Sequence, residues 1–264
     1  METGVLHGMI IGVTVLIALA TGLVVSRSAG AWIADPAHTA VFERSGAAGR
    51  VRTIVTGIAI AAVAAWFLPV GTVLSGATGQ ADAAQPPAAA PMPAGAVSAV
   101  SGSVDHIAAA LILGTVAGAT PFLIRVDVLV HRLPDRLVYP LIGFCFTAAA
   151  LASFLGSSLL WSPALIIGVV ATLAFAAIHL LGRVLGARTM GLGDVKLAFI
   201  VFSTSTLYHP WAAAVVVVVM MLIAGIWALI GAIRARRVQG VAIAFGPAML
   251  SGMWLGSVLS RFVL

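Results

Sequence analysis

Eight of the 264 residues are acidic: Glu2, Asp35, Glu43, Asp82, Asp105, Asp127, Asp135 and Asp194. In a chain with a mean hydropathy of +1.15, an acid near an apolar stretch is costly and invites a chemical reason. Asp194 stands in Met190-Gly191-Leu192-Gly193-Asp194-Val195-Lys196-Leu197, where two glycines flank a leucine and the acid opens an apolar run. Glycine admits otherwise forbidden backbone dihedrals and lets another chain come close, so an acid after it is held in a defined place. The plainer reading makes Asp194 an N-cap for the helix that follows. Asp127 stands in Arg125-Val126-Asp127-Val128-Leu129-Val130-His131-Arg132-Leu133-Pro134-Asp135, after a third apolar stretch. On a continuing helix His131 shares its face, and the plainer reading is a modest interfacial pair. Asp135 follows Pro134 and opens the next stretch, where an acid acts as an N-cap. Two aspartates at one membrane depth support a sharper chemistry. One carboxylate takes a proton from water while the other gives a proton to a peptide carbonyl. Their repulsion and poor solvation make such a pair titrate as a unit.

The elements that must position these acids are membrane helices. Hydrophobic residues make up 61% of the chain and charged residues 8%, against about 45–50% and about 25% in a soluble domain. That balance excludes a water-soluble globular protein, because too little polar surface remains to cover its core. Eight apolar stretches lie near 5–25, 53–70, 106–124, 137–160, 164–182, 195–208, 211–233 and 241–260. The sixth is short for the roughly 20 residues that a crossing needs and reads as tilted or partly re-entrant. The fold class expected is therefore all-α, a polytopic integral membrane protein with about eight transmembrane helices. Its parts are two N-terminal spans with a cytoplasmic loop (1–70), a flexible external loop rich in Ala, Pro and Gly (71–105), and a membrane domain (106–264) that holds the acids. The first span exceeds a signal-peptide core and has no basic n-region, so it reads as retained.

The cations alternate strictly. Arg27, Arg44, Arg50 and Arg52 follow the first stretch, Arg125, Arg132 and Arg136 the third, Arg183, Arg188 and Lys196 the fifth, and Arg234, Arg236 and Arg237 the seventh. The intervening loops have none, and only Arg261 falls on the other side. The positive-inside rule puts the basic loops in the cytoplasm, together with Asp127, Asp135 and Asp194. The sequence pI near 11.0 is then an orientation signal and a contact with the anionic bilayer, not a nucleic-acid footprint. Arg132 and Arg136 read as headgroup anchors. Lys196, two residues beyond Asp194, points away from that carboxylate on a helix, toward structure, headgroups or substrate. The single cysteine, Cys145, lies inside the fourth stretch as a small buried hydrophobe and excludes both a disulfide framework and a multi-cysteine zinc site.

At these residues the chain resembles the type IV prepilin peptidases, integral-membrane aspartic proteases of the Gly-x-Gly-Asp type. Three segments carry the resemblance: Asp127 followed by Arg132-Leu133-Pro134-Asp135; Gly191-Leu192-Gly193-Asp194-Val195-Lys196-Leu197; and Phe245-Gly246-Pro247 in the last stretch. The resemblance covers about 106–260. It implies that Asp127 and Asp194 are the catalytic pair, that Gly191 and Gly193 shape the turn beside the scissile bond, and that Phe245, Gly246 and Pro247 shape a bend near the site. It implies prepilin or pseudopilin substrates, cut after a glycine at the cytoplasmic face of the cell membrane, with no metal and no cofactor. Bifunctional members of the family carry a cysteine-bearing zinc module after the first span and also N-methylate the product. Here the loop from Ser26 to Arg52 has no cysteine, so that module and its methyl transfer are not expected.

Two other readings compete. A presenilin-like or signal-peptide-peptidase-like protease shares Gly-Leu-Gly-Asp, but it is expected to hold its first aspartate within a span in a Tyr-Asp context and to end on Pro-Ala-Leu. A small transporter using the two acids as proton or ion sites would place an acid in mid-span and show a repeat relating its halves, and neither is evident.

Overall fold

The computed structural model describes residues 2–33, 39, 46–69, 94–156, 158–186, 191–235 and 245–264. Among these, all regular structure is helical: α1 (Glu2–Arg27), α2 (Ala29–Trp32), α3 (Gly46–Phe67), α4 (Ala94–Val130), α5 (Asp135–Leu155), α6 (Trp161–Val184), α7 (Leu192–Thr206), α8 (Ala212–Ala235) and α9 (Phe245–Val263). Six segments are long and apolar enough to cross a membrane, and they mark a multi-pass membrane protein: Gly4–Arg27, Gly46–Phe67, Gly102–Val130, Asp135–Leu155, Trp161–Val184 and Ala212–Arg234. Each lies over one of the eight stretches expected from sequence. The sixth and eighth stretches form α7 and α9, which are outside that set of six. Of the expected external loop at 71–105, residues 71–93 lie outside the described residues, and the chain is helical from Ala94.

The third helix runs further than its apolar stretch. The charges at Arg125 and Asp127 end the apolar run, but nothing there breaks a helix, and α4 continues to Val130. Asp127 therefore lies inside the helix rather than after it. His131 stops the helix in a left-handed conformation, with φ of 53°, while its N–H still donates to the Asp127 carbonyl at 2.8 Å. Pro134 then caps α5.

α7 is the central element. Every side chain from Leu197 to Thr206 is buried. Its 15 residues extend about 22 Å, short of a hydrocarbon core about 30 Å thick. A helix apolar on all sides is one enclosed by its neighbours, and α7 packs against α5, α6, α8 and α9. The hydroxyls of Ser203, Ser205 and Thr206 turn back on the helix itself, as Thr206 Oγ1 does toward the Phe202 carbonyl at 2.8 Å. Just beyond it the Tyr208 hydroxyl donates to the Ala64 carbonyl of α3 at 2.8 Å. α1, α3 and α4 pack on one another, and α9 bridges them to the rest through α3 and α4. Close approach depends on small residues. A Cβ on Gly118 of α4 would lie 2.6 Å from the Ala18 carbonyl oxygen of α1, and one on Gly252 of α9 would lie 2.7 Å from Met220 Cα of α8.

Asp105, assigned from sequence to the outer side, occupies the opposite end of α4 from Asp127, about 33 Å away at 1.5 Å per residue. It is fully buried. Its carboxylate accepts the Ser158 N–H at 2.9 Å and the Trp161 indole N–H at 2.6 Å, which fixes the α5–α6 connection. Gly156 abuts the same carboxylate and leaves no space there for a side chain.

Candidate active site

Two helix ends create the site. Asp127 projects from the last turn of α4 and Asp194 from the first turn of α7, and they are 5% and 9% exposed. Both line one cleft of about 500 Å³, with His131, Arg132, Leu133, Asp135, His179, Gly191, Leu192, Gly193 and Lys196. The fold thus gathers acids that are 67 residues apart in the chain.

Each acid is held by backbone. Gly191, not Asp194, occupies the N-cap position of α7. Asp194 sits three residues on, where its Oδ2 accepts the Gly191 N–H at 3.3 Å. The N-cap expected at Asp194 is thereby corrected: the carboxylate reaches back to the cap residue and remains open to the cleft. Burial and then the nearby Asp127 carboxylate push Asp194 up to about 6, against the pull of the Gly191 N–H. This acid retains a proton well above the usual carboxylate range.

Asp127 meets the start of α9. The Gly246 N–H faces its carboxylate, and a Cβ on Gly246 would lie 2.7 Å from Asp127 Oδ2. Oδ2 makes no hydrogen bond of full geometry among the described residues. The His131 ring is close enough to act on the Asp127 charge, a weak form of the interfacial pair expected from sequence. Phe245, Gly246 and Pro247 stand in the first turn of α9, where proline is tolerated because its missing N–H has no intrahelical partner; the residues before them, on which a bend would show, lie outside the described residues. Gly246 faces the Asp127 carboxylate, Phe245 packs partly buried against the core, and Pro247 is buried.

The remaining expected residues fall around the cleft mouth. Arg132 and Gly191 are exposed on its rim. Gly193 packs against Leu133, where a Cβ would stand 3.1 Å from Leu133 Cβ. Pro134, rather than Asp135, takes the N-cap of α5, which corrects the cap expected at Asp135. Asp135 instead pairs with Lys196, Oδ1 to Nζ at 2.7 Å, a structural contact among the roles expected for the lysine. His179 of α6 lines the cleft and was missed from sequence, although an ionisable residue inside an apolar helix is a signal in itself. Among the described residues, no cluster of three or more His, Cys, Asp or Glu could hold a metal ion. No protein-family model, curated protein or solved structure matches this chain.

Proposed function

We propose that the protein is a membrane aspartic endopeptidase of the type IV prepilin peptidase kind, cutting the leader from prepilin-like proteins after a glycine at the cytoplasmic membrane face. The observation that carries this reading is the convergence of Asp127 and Asp194, buried and mutually repelling, in one open cleft. Asp105 is a structural acid, fully buried with two direct donors, whereas Asp127 and Asp194 line an open cleft together. Two acids that line one cleft and repel each other's charge favour keeping one proton on the pair, and that is the state acid–base hydrolysis needs.

In this mechanism the pair shares one proton. The ionised carboxylate takes a proton from water as the water oxygen bonds to the peptide carbonyl carbon. The protonated carboxyl gives its proton to the carbonyl oxygen, and a neutral gem-diol forms. The carboxyl that gained the water proton then passes it to the amide nitrogen. A diol hydroxyl returns its proton to the other carboxylate as the C–N bond breaks, so the pair ends with one proton again. Gly191 and Gly193 leave the cleft wall without side chains, so an extended substrate segment can approach the acids. By the positive-inside rule, the basic loops support a mouth on the cytoplasmic side. α7 and α9 complete a domain of eight membrane helices, with α7 sheathed by its neighbours.

One observation favours the presenilin-like reading: Asp127 lies within the helix, in the span Gly102–Val130. Val126 before it and Phe245-Gly246-Pro247 near the end of the chain speak for the prepilin peptidase reading. Co-expression with prepilins, followed by mass spectrometry of the substrate's new N-terminus, separates the two. Cleavage after the glycine that precedes the apolar helix supports the proposal. Cleavage inside the apolar helix favours the presenilin-like protease. No cleavage by correctly inserted protein overturns both.

A further inference from the structure

Lys196 is the one lysine in a chain whose other 13 cations are arginines. Its side chain is only 19% exposed. The ammonium lies 2.7 Å from Asp135 Oδ1 and 4.4 Å from the centroid of the Tyr139 ring. Asp135 and Tyr139 are four residues apart and share one face of α5, so they form a two-sided seat for a compact cation. Arginine's planar fork would not fill that seat in the same way. Asp135 is itself 58% exposed, and an exposed ion pair contributes little to stability, so holding the fold together does not account for the arrangement.

The pair joins the start of α7 to the first turn of α5. Asp194 is held directly by one long backbone hydrogen bond, from Gly191 at 3.3 Å. Its position therefore depends on its flanks: Gly193 rests on Leu133, just before α5, and Lys196 reaches the first turn of α5. Both contacts tie the start of α7 to the same place.

We infer that Lys196 is a positioning residue: seated between Asp135 and Tyr139, it clamps the first turn of α7 to α5 and sets where Asp194 stands against Asp127. This rests on the proposed endopeptidase reading for its kinetic consequence, but the clamp itself is testable without a substrate. In a Cys145→Ser background, Leu133→Cys with Gly193→Cys places two thiols at the Gly193–Leu133 contact. Oxidative cross-linking of that pair reads the approach of the two segments. Adding Lys196→Met slows cross-linking, and the exchanged pair Lys196→Asp with Asp135→Lys restores it.

In the protein without added cysteines, Lys196→Met lowers kcat about 100-fold, the cost of roughly 1 Å of misplacement, and leaves KM unchanged. Lys196→Arg retains the charge and recovers part of kcat. Cross-linking indifferent to Lys196→Met overturns the clamp. A raised KM at unchanged kcat also overturns it, because Lys196 would then meet substrate. Cross-linking that responds in a protein that cleaves no prepilin supports the clamp and sinks the endopeptidase reading alone.

Discussion

At Asp127 the absence of one carbon atom on Gly246 leaves room for the carboxylate. A methyl group there would stand 2.7 Å from Oδ2, inside van der Waals contact, and would move the acid relative to Asp194. Gly246→Ala is expected to lower kcat about 100-fold, because displacements near 1 Å cost that much, with insertion intact by gel and detergent stability. The proton on the pair sets the pH response. Asp194 is pushed up to about 6, so between the ordinary carboxylate range and pH 6 the folded protein keeps a proton that the unfolded chain has lost. Over that window stability falls as pH rises. The singly protonated pair is also lost above it, so kcat/KM is expected to decline on the alkaline side from about pH 6. A pH–rate profile flat from pH 6 to 9 would contradict the shared proton. The site was legible where chemistry is local: Gly191, Gly193 and Asp194 announce themselves because glycines beside an acid in an apolar run have few bland explanations. His179 and the Asp135–Lys196 pair were not legible, since their partners arrive only when α6 and α5 pack around α7.

The helices themselves were written in hydropathy, and each of the eight apolar stretches holds a helix among the described residues. What hydropathy does not mark is where a helix ends. Charge ends a span, but helices end at capping and backbone signals, which is why α4 runs to Val130 and carries Asp127 inside it. Nor does an acid in the sequence disclose whether it is solvated or buried. Asp105 looked like a loop residue and is a buried staple between α4 and the start of α6. Asp105→Ala is expected to cost about 1–3 kcal/mol, because it orphans the Ser158 N–H and the Trp161 indole. Thermal unfolding in detergent checks this. Cleavage by the folded fraction should be unchanged, because Asp105 is about 33 Å from Asp127 along α4. Lost cleavage at full folding would give this end of the molecule a part in the chemistry.

The cleft lies at the Asp127 end of α4, and the Asp105 staple lies toward its other end. Under the proposed reading, the positive-inside rule predicts that the cleft end faces the cytoplasm. In a Cys145→Ser background, Leu159→Cys and Pro210→Cys should react with an impermeant maleimide added to intact cells, and Leu185→Cys and Arg132→Cys only after permeabilisation. The reverse pattern would put the cleft outside and remove a cytoplasmic leader as substrate. The central claim is that Asp127 and Asp194 act as one unit, and its most direct test is a double-mutant cycle. Purified protein in liposomes would be given a prepilin, and the rate of leader release read by mass spectrometry for the wild type, Asp127→Asn, Asp194→Asn and the double variant. Each single variant should lose at least about 100-fold in rate, and the double variant should be no slower than the slower single one. Losses that multiply, or either single variant retaining wild-type cleavage, would contradict a shared catalytic pair.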